Sequence, residues 1–88
     1  MACMGVVDAK VENLMSERLF RSLVCSLVGR RISRTWLWEL RQELAMGDEE
    51  FTDAYARIVA YYAKLRAANR TPAAARRLTI QFCKENDL

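Results

Sequence analysis

The chain has 88 residues, 52% of them apolar and 28% charged, with three glycines and one proline. That describes one small domain and excludes a disordered tail, a collagen-like repeat and a low-complexity linker. The net charge is +3, histidine is absent, and no apolar run approaches the roughly 18 residues of a membrane span.

The opening Met1-Ala2-Cys3-Met4-Gly5-Val6-Val7 is apolar, but no basic residue precedes it and Asp8 and Lys10 follow at once, unlike a secretory signal. Cys3, Cys25 and Cys83 are odd in number and far apart. The expectation is therefore reduced thiols in a soluble cytoplasmic protein, with no disulfide framework.

A first amphipathic helix is expected from about Asp8 to Val28. Val11, Leu14, Met15, Phe20, Leu23, Val24, Leu27 and Val28 recur mostly at three- and four-residue steps along one broad face. Asp8 is its expected N-cap and Gly29 its closing left-handed residue. A break near Ser16 is the alternative, giving two shorter helices and five in all.

A second helix is expected over about Arg34–Met46, capped by Ser33, with Leu37, Leu40 and Leu44 facing inward and Gly47 closing it. Asp48 then stands as the next N-cap, with Glu49 and Glu50 in a first turn where the helix dipole favours anions. The third helix is placed over about Glu49–Ala68. Phe51, Ala54, Tyr55, Ile58, Val59, Tyr62 and Leu65 form its stripe, with Tyr61 at the edge. Asn69 and Arg70 end it. Thr71-Pro72 opens a fourth helix to about Lys84, where proline's missing N–H costs nothing, and Ala75, Leu78 and Phe82 face inward. No strand is convincing. The expected fold is all-α, a compact single-domain bundle of four helices.

Charge is unevenly spread. Arg30, Arg31, Arg34 and Arg41 crowd one segment; Glu43, Asp48, Glu49, Glu50 and Asp53 follow; and residues 54–84 hold seven cations and no acid. Eleven of the fourteen cations are arginine, the residue that grips phosphate or carboxylate bidentately. Catalysis is not expected. There is no histidine base, no glycine-rich phosphate loop and no metal-ligand spacing, so no catalytic, metal or cofactor residue is assigned.

The joint between the first two helices carries the functional reading. Ile32-Ser33-Arg34-Thr35-x-Leu37-Trp38-x-Leu40-Arg41 resembles the turn and recognition helix of helix-turn-helix DNA-binding domains of bacteria and phages. The following Asp48–Arg57 segment resembles the one after the recognition helix in small-terminase-like domains. Arg31 stands at the usual turn-glycine position and Leu27 at the usual small residue. About five extra residues separate the two matching segments.

The resemblance implies that Ser33, Arg34, Thr35, Trp38, Arg41 and Gln42 face the groove. Arg30 and Arg31 would hold phosphates, while Leu37 and Leu40 pack inward. Arg66, Arg70, Arg76 and Arg77 form a second candidate basic corner, with Tyr61 or Tyr62 as stacking surfaces.

Trp36 and Trp38 lie on nearly opposite faces of one helix, so one of them is expected to be exposed. The apolar Met1, Cys3, Met4, Val6 and Val7 are expected to pack on the core or on a partner. The leading expectation is a small nucleic-acid-binding regulator acting as a homodimer, with DNA favoured over RNA. The alternatives are a helical inhibitor or adaptor that binds an acidic protein, and a dimer that grips double-stranded RNA.

Overall fold

The computed structural model describes residues 14–88. Expectations about Asp8, Val11, Cys3 and the apolar start lie outside the described residues. The described residues form four helices: α1 (Glu17–Val28), α2 (Arg34–Glu43), α3 (Asp53–Ala67) and α4 (Pro72–Glu85). Among the described residues there is no strand, only one isolated bridge between Leu14 and Thr52. The all-α bundle expected from the sequence is what the chain forms, and none of these helices is long and apolar enough to cross a membrane.

Each helix starts with a hydroxyl. Ser16, Ser33, Thr52 and Thr71 sit in extended backbone, and each side-chain oxygen accepts the N–H of the residue three further on. That satisfies one of the donors a helix start leaves unpaired. Residues 14–16 are not helical, so α1 begins at the Ser16 break. Asp48 does not cap the third helix, and Glu49 and Glu50 lie outside it.

The reason is Phe51. Its carbonyl accepts the Met15 N–H at 2.9 Å, and Thr52 bridges Leu14, which holds this stretch extended. The Phe51 ring then lies 4.8 Å from Phe20, which in turn lies 4.9 Å from Tyr55. A helix begun at Glu49 would carry Phe51 away from that aromatic cluster.

The helix ends are equally regular. Gly29, Ala45, Asn69 and Asp87 all adopt positive φ just past a helix. For α2 the Met46 N–H bonds the Arg41 carbonyl and the Ala45 N–H bonds that of Gln42, a Schellman closure. The left-handed position is therefore Ala45, and α2 stops three residues before the expected Met46. Gly47 is not the closing residue. Asn69 closes α3 in the same way, through Arg70 to Leu65 and Asn69 to Arg66.

The core runs along α3, which is the central helix. Phe20 and Val24 of α1, Ile32 of the turn, Leu37 and Leu40 of α2, and Ala75 of α4 are all buried against Tyr55, Val59 and Tyr62. The small residues Ala56, Ala60 and Ala63 are also buried and let the neighbouring helices approach α3 closely. Thr79 is buried too, its hydroxyl donating to the Ala75 carbonyl at 2.7 Å. Leu78 and Phe82 are half-buried, with Phe82 stacked on Tyr61 at 4.1 Å.

The two left-handed closures make opposite predictions. Gly29→Ala forces a side chain into φ 85° and should cost about 1–2 kcal/mol. Ala45→Gly removes that penalty at φ 59° but loosens the unfolded chain, for a net gain of about 0.5–1 kcal/mol. Thermal melts of the two variants should move in opposite directions from the parent.

Candidate nucleic-acid interface

The α1–turn–α2 unit sets the stage. Its turn, residues 29–33, is pinned from inside: Ile32 is buried, and its N–H donates to the Cys25 thiol sulfur at 3.2 Å. On α2, Leu37 is 2% exposed and Leu40 is fully buried, so the helix is anchored by its leucines as the pattern requires. Trp36 is half-buried against the core, with the Arg30 guanidinium 5.6 Å above its ring, a cation–π contact. Trp38 points the other way and is 57% exposed. The two indoles separate as their spacing predicts.

The arginines divide sharply. Arg31 and Arg34 are exposed, and Arg34 meets Glu17 of α1 only at 3.7 Å with three-quarters of its side chain in water. Such a pair holds Arg34 weakly and yields readily to a better anion. Arg30 is exposed but rests on Trp36.

Arg41 lines the same groove as Arg34 but turns its guanidinium inward. Its Nε donates to the Tyr55 hydroxyl at 3.0 Å, its Nη2 donates to the Gly47 carbonyl at 2.6 Å, and its guanidinium sits 4.8 Å from the Phe51 ring centre. A planar guanidinium with several fixed donors satisfies a carbonyl and a phenol at once, and in doing so it closes the α2–α3 connection. The guanidinium expected to reach a base or phosphate is thus occupied by a structural tie. Gln42 is exposed, but its amide leans on Gly47, closer than a Cβ there would allow. Ser33 spends its hydroxyl on the Trp36 N–H, and Thr35 is exposed beside Trp38.

Two residues that sequence reasoning passed over complete this face. Arg18 and Arg21 of α1 stand one turn apart and line the same groove as Arg34, and a second groove beside Arg31. A third groove, of about 450 Å³, is lined by Glu17, Arg34, Thr35, Leu37, Trp38 and Arg41. Shared residues join the three into one track: Trp38 to Arg34, then along Glu17, Arg18 and Arg21 to Cys25 and Arg31. The sequence signal was available in the three-residue step from Arg18 to Arg21, which sets both on one side of α1 outside the buried Phe20–Val24 stripe. Their segment balances in net charge, which hid it.

The second basic corner is largely self-satisfied. Glu43, at the end of α2, accepts the Tyr62 hydroxyl at 2.6 Å and Arg66 Nε at 2.9 Å, while Arg76 donates to the Glu43 carbonyl at 3.1 Å. Arg66 also reaches the Arg70 carbonyl. Arg66 and Arg76 are thus engaged in tying α2, α3 and α4 together, and only Arg70 and Arg77 of the expected four lack such a contact among the described residues. Tyr62 is buried, and Tyr61 is covered on one face by Phe82, so neither offers an open stacking surface.

Burial works to raise the Glu43 carboxyl. The hydrogen bonds from Tyr62 and Arg66, with the charges of Arg66 and Arg76, overcome it and set the carboxyl below its ordinary value. Burial, the bond to Glu43 and its charge push Tyr62 up to about 12. No protein-family model, no characterised protein and no solved structure shows significant similarity to this chain.

The Glu43 cluster predicts a two-sided pH response. A carboxyl lowered by folding adds stability above its unfolded pKa, near 4.5, and loses it as pH falls through the lowered value. A phenol raised by folding adds stability below 10 that is lost as pH climbs toward about 12. Glu43→Gln should flatten the acid limb of a denaturation profile below about pH 5 and soften the alkaline one. Equal acid limbs in parent and variant would refute this account.

Proposed function

We propose that the protein is a non-catalytic nucleic-acid-binding protein whose contact face is the exposed side of the α1–turn–α2 unit. The observation that supports this reading most is the gathering of Arg18, Arg21, Arg31 and Arg34 along one connected track. Among the described residues Glu17 is the only carboxylate lining that track. Like charges held together on one face repel, and a phosphate chain relieves the repulsion while releasing its counterions. The leucine anchoring of α2 fits the helix-turn-helix resemblance of the sequence. The loss of Arg41 from the outward face narrows it.

In this reading Arg18, Arg21, Arg31 and Arg34 position the backbone, Thr35 and Trp38 approach the bases, and Arg30 supports Trp36 and the turn. The reading extends to a small regulator of the bacterial or phage kind working as a homodimer, which doubles the contacts of so small a head. DNA is favoured over RNA. The second reading, a protein-interaction module, draws on the exposed Trp38, since tryptophan is enriched at binding hot spots.

Fluorescence anisotropy of labelled oligonucleotides tests the proposal. Four phosphate contacts predict a logarithmic salt slope of about −3.6 on duplex DNA, or about −2.8 on a single strand. Alanine at Arg18, Arg21, Arg31 or Arg34 should each lower the slope by just under one unit. Arg41→Ala should instead lower the melting temperature and leave the slope unchanged. Absence of binding at low salt, or a flat salt dependence, rejects the proposal. Salt-tolerant protein binding lost in Trp38→Ala and kept in Arg34→Ala favours the second reading.

A further inference from the structure

We infer that the track takes a single strand, or an unpaired stretch, of nucleic acid, with one base stacked on Trp38 and the backbone led away over Arg34, Arg18, Arg21 and Arg31. The inference rests on the nucleic-acid reading and goes beyond it by naming the form of the ligand.

The decisive feature is that, on the α1–turn–α2 unit, the arginines without a close partner lie on one flank of α2. A helix seated in a major groove about 12 Å wide runs between two phosphate backbones, so it needs cationic contacts on both flanks. On the α1 flank of α2 the track supplies them. Arg41, two turns on from Arg34, lines the same groove as Arg34, but its guanidinium is held by Tyr55, Gly47 and Phe51. The other flank carries Trp36, with the Arg30 guanidinium resting on its ring. What remains outward past Trp38 is Glu39, an exposed carboxylate, and Gln42, which leans back on Gly47. A second backbone would meet a negative charge there.

A single strand needs one groove, one set of cations and an aromatic face, and these are what the surface offers. Trp38 is 57% exposed, with Thr35 and Arg34 along the same groove wall and the Leu37 side chain at its floor. The α1 residues lining the track run from Glu17 to Cys25, eight helical steps or about 12 Å. That length accommodates a short run of nucleotides leading from the stacked base. Glu17, beside the indole and loosely paired with Arg34, is an acceptor placed for an exocyclic amine once Arg34 turns to a phosphate.

The test compares two probes on the intact chain at one low salt concentration: a labelled fifteen-nucleotide oligothymidine and a fifteen-base-pair DNA duplex. Intrinsic tryptophan emission is read in the same titrations. Expected are at least ten-fold tighter binding of the single strand and quenching of tryptophan emission as it binds. Trp38→Ala should lose about ten- to a hundred-fold in affinity for the single strand, and Trp38→Phe should keep most of it. Because Trp38 is exposed, both variants should melt close to the parent, and circular dichroism checks that.

Equal or tighter binding of the duplex overturns the inference while leaving the nucleic-acid reading intact. So does a Trp38→Ala variant whose affinity for the single strand is unchanged. If neither probe binds, this inference falls together with the reading it rests on.

Discussion

The Arg41 guanidinium decides what the outer side of α2 can do. Its two hydrogen bonds, to the Tyr55 hydroxyl and the Gly47 carbonyl, with Phe51 stacked beneath, fasten the α2–α3 connection to the central helix. Tyr55 completes the tie by donating to the Met46 carbonyl. Half-buried groups of this kind cannot be left unpaired without a cost of about 1–3 kcal/mol, so the tie is strongly favoured over a guanidinium in water. The groove that Arg41 shares with Arg34 and Glu17 thereby loses one cation, and the positive charge left there comes from Arg34 and the arginines of α1.

A similar division holds across the other arginines. Arg66 and Arg76 converge on Glu43, whose carboxylate and carbonyl would otherwise be awkward at the negative end of α2. Tyr62 joins from the core side, so a single acidic residue ties three helices together. Arg30 is occupied by Trp36. Arg18, Arg21 and Arg31 have no ion pair among the described residues, and Arg34 has only a long one. An arginine-rich composition alone does not distinguish these groups. The contacts do.

Much of the architecture was legible in the sequence because it depends on local signals. Ser33 and Thr71 read correctly as caps, the Leu37–Leu40 stripe is dry, and Gly29 and Asn69 fall where the helices end. The failures share a cause. Asp48-Glu49-Glu50 is a better local helix start than Thr52-Asp53, yet pairing with residues 14 and 15, distant in sequence, holds Phe51 extended. Ala45 closes α2 although Gly47 is the better left-handed residue, because Met46 is fixed by the Tyr55 hydroxyl. In both places a tertiary contact of an aromatic side chain overrode a backbone preference worth about 1 kcal/mol.

The candidate interface was less legible for a related reason. Sequence reading located arginines near one turn and assumed that all of them faced outward with it. Whether a guanidinium reaches solvent depends on carbonyls and phenols supplied by other segments: Gly47 and Tyr55 for Arg41, Glu43 for Arg66 and Arg76. Arg18 and Arg21 meet no such acceptor among the described residues, because they lie outside the Phe20–Val24 stripe that packs on α3. The same packing that buries Phe20 and Val24 against α3 therefore turns Arg18 and Arg21 toward Arg31 and Arg34, and the one-sided track follows from the core.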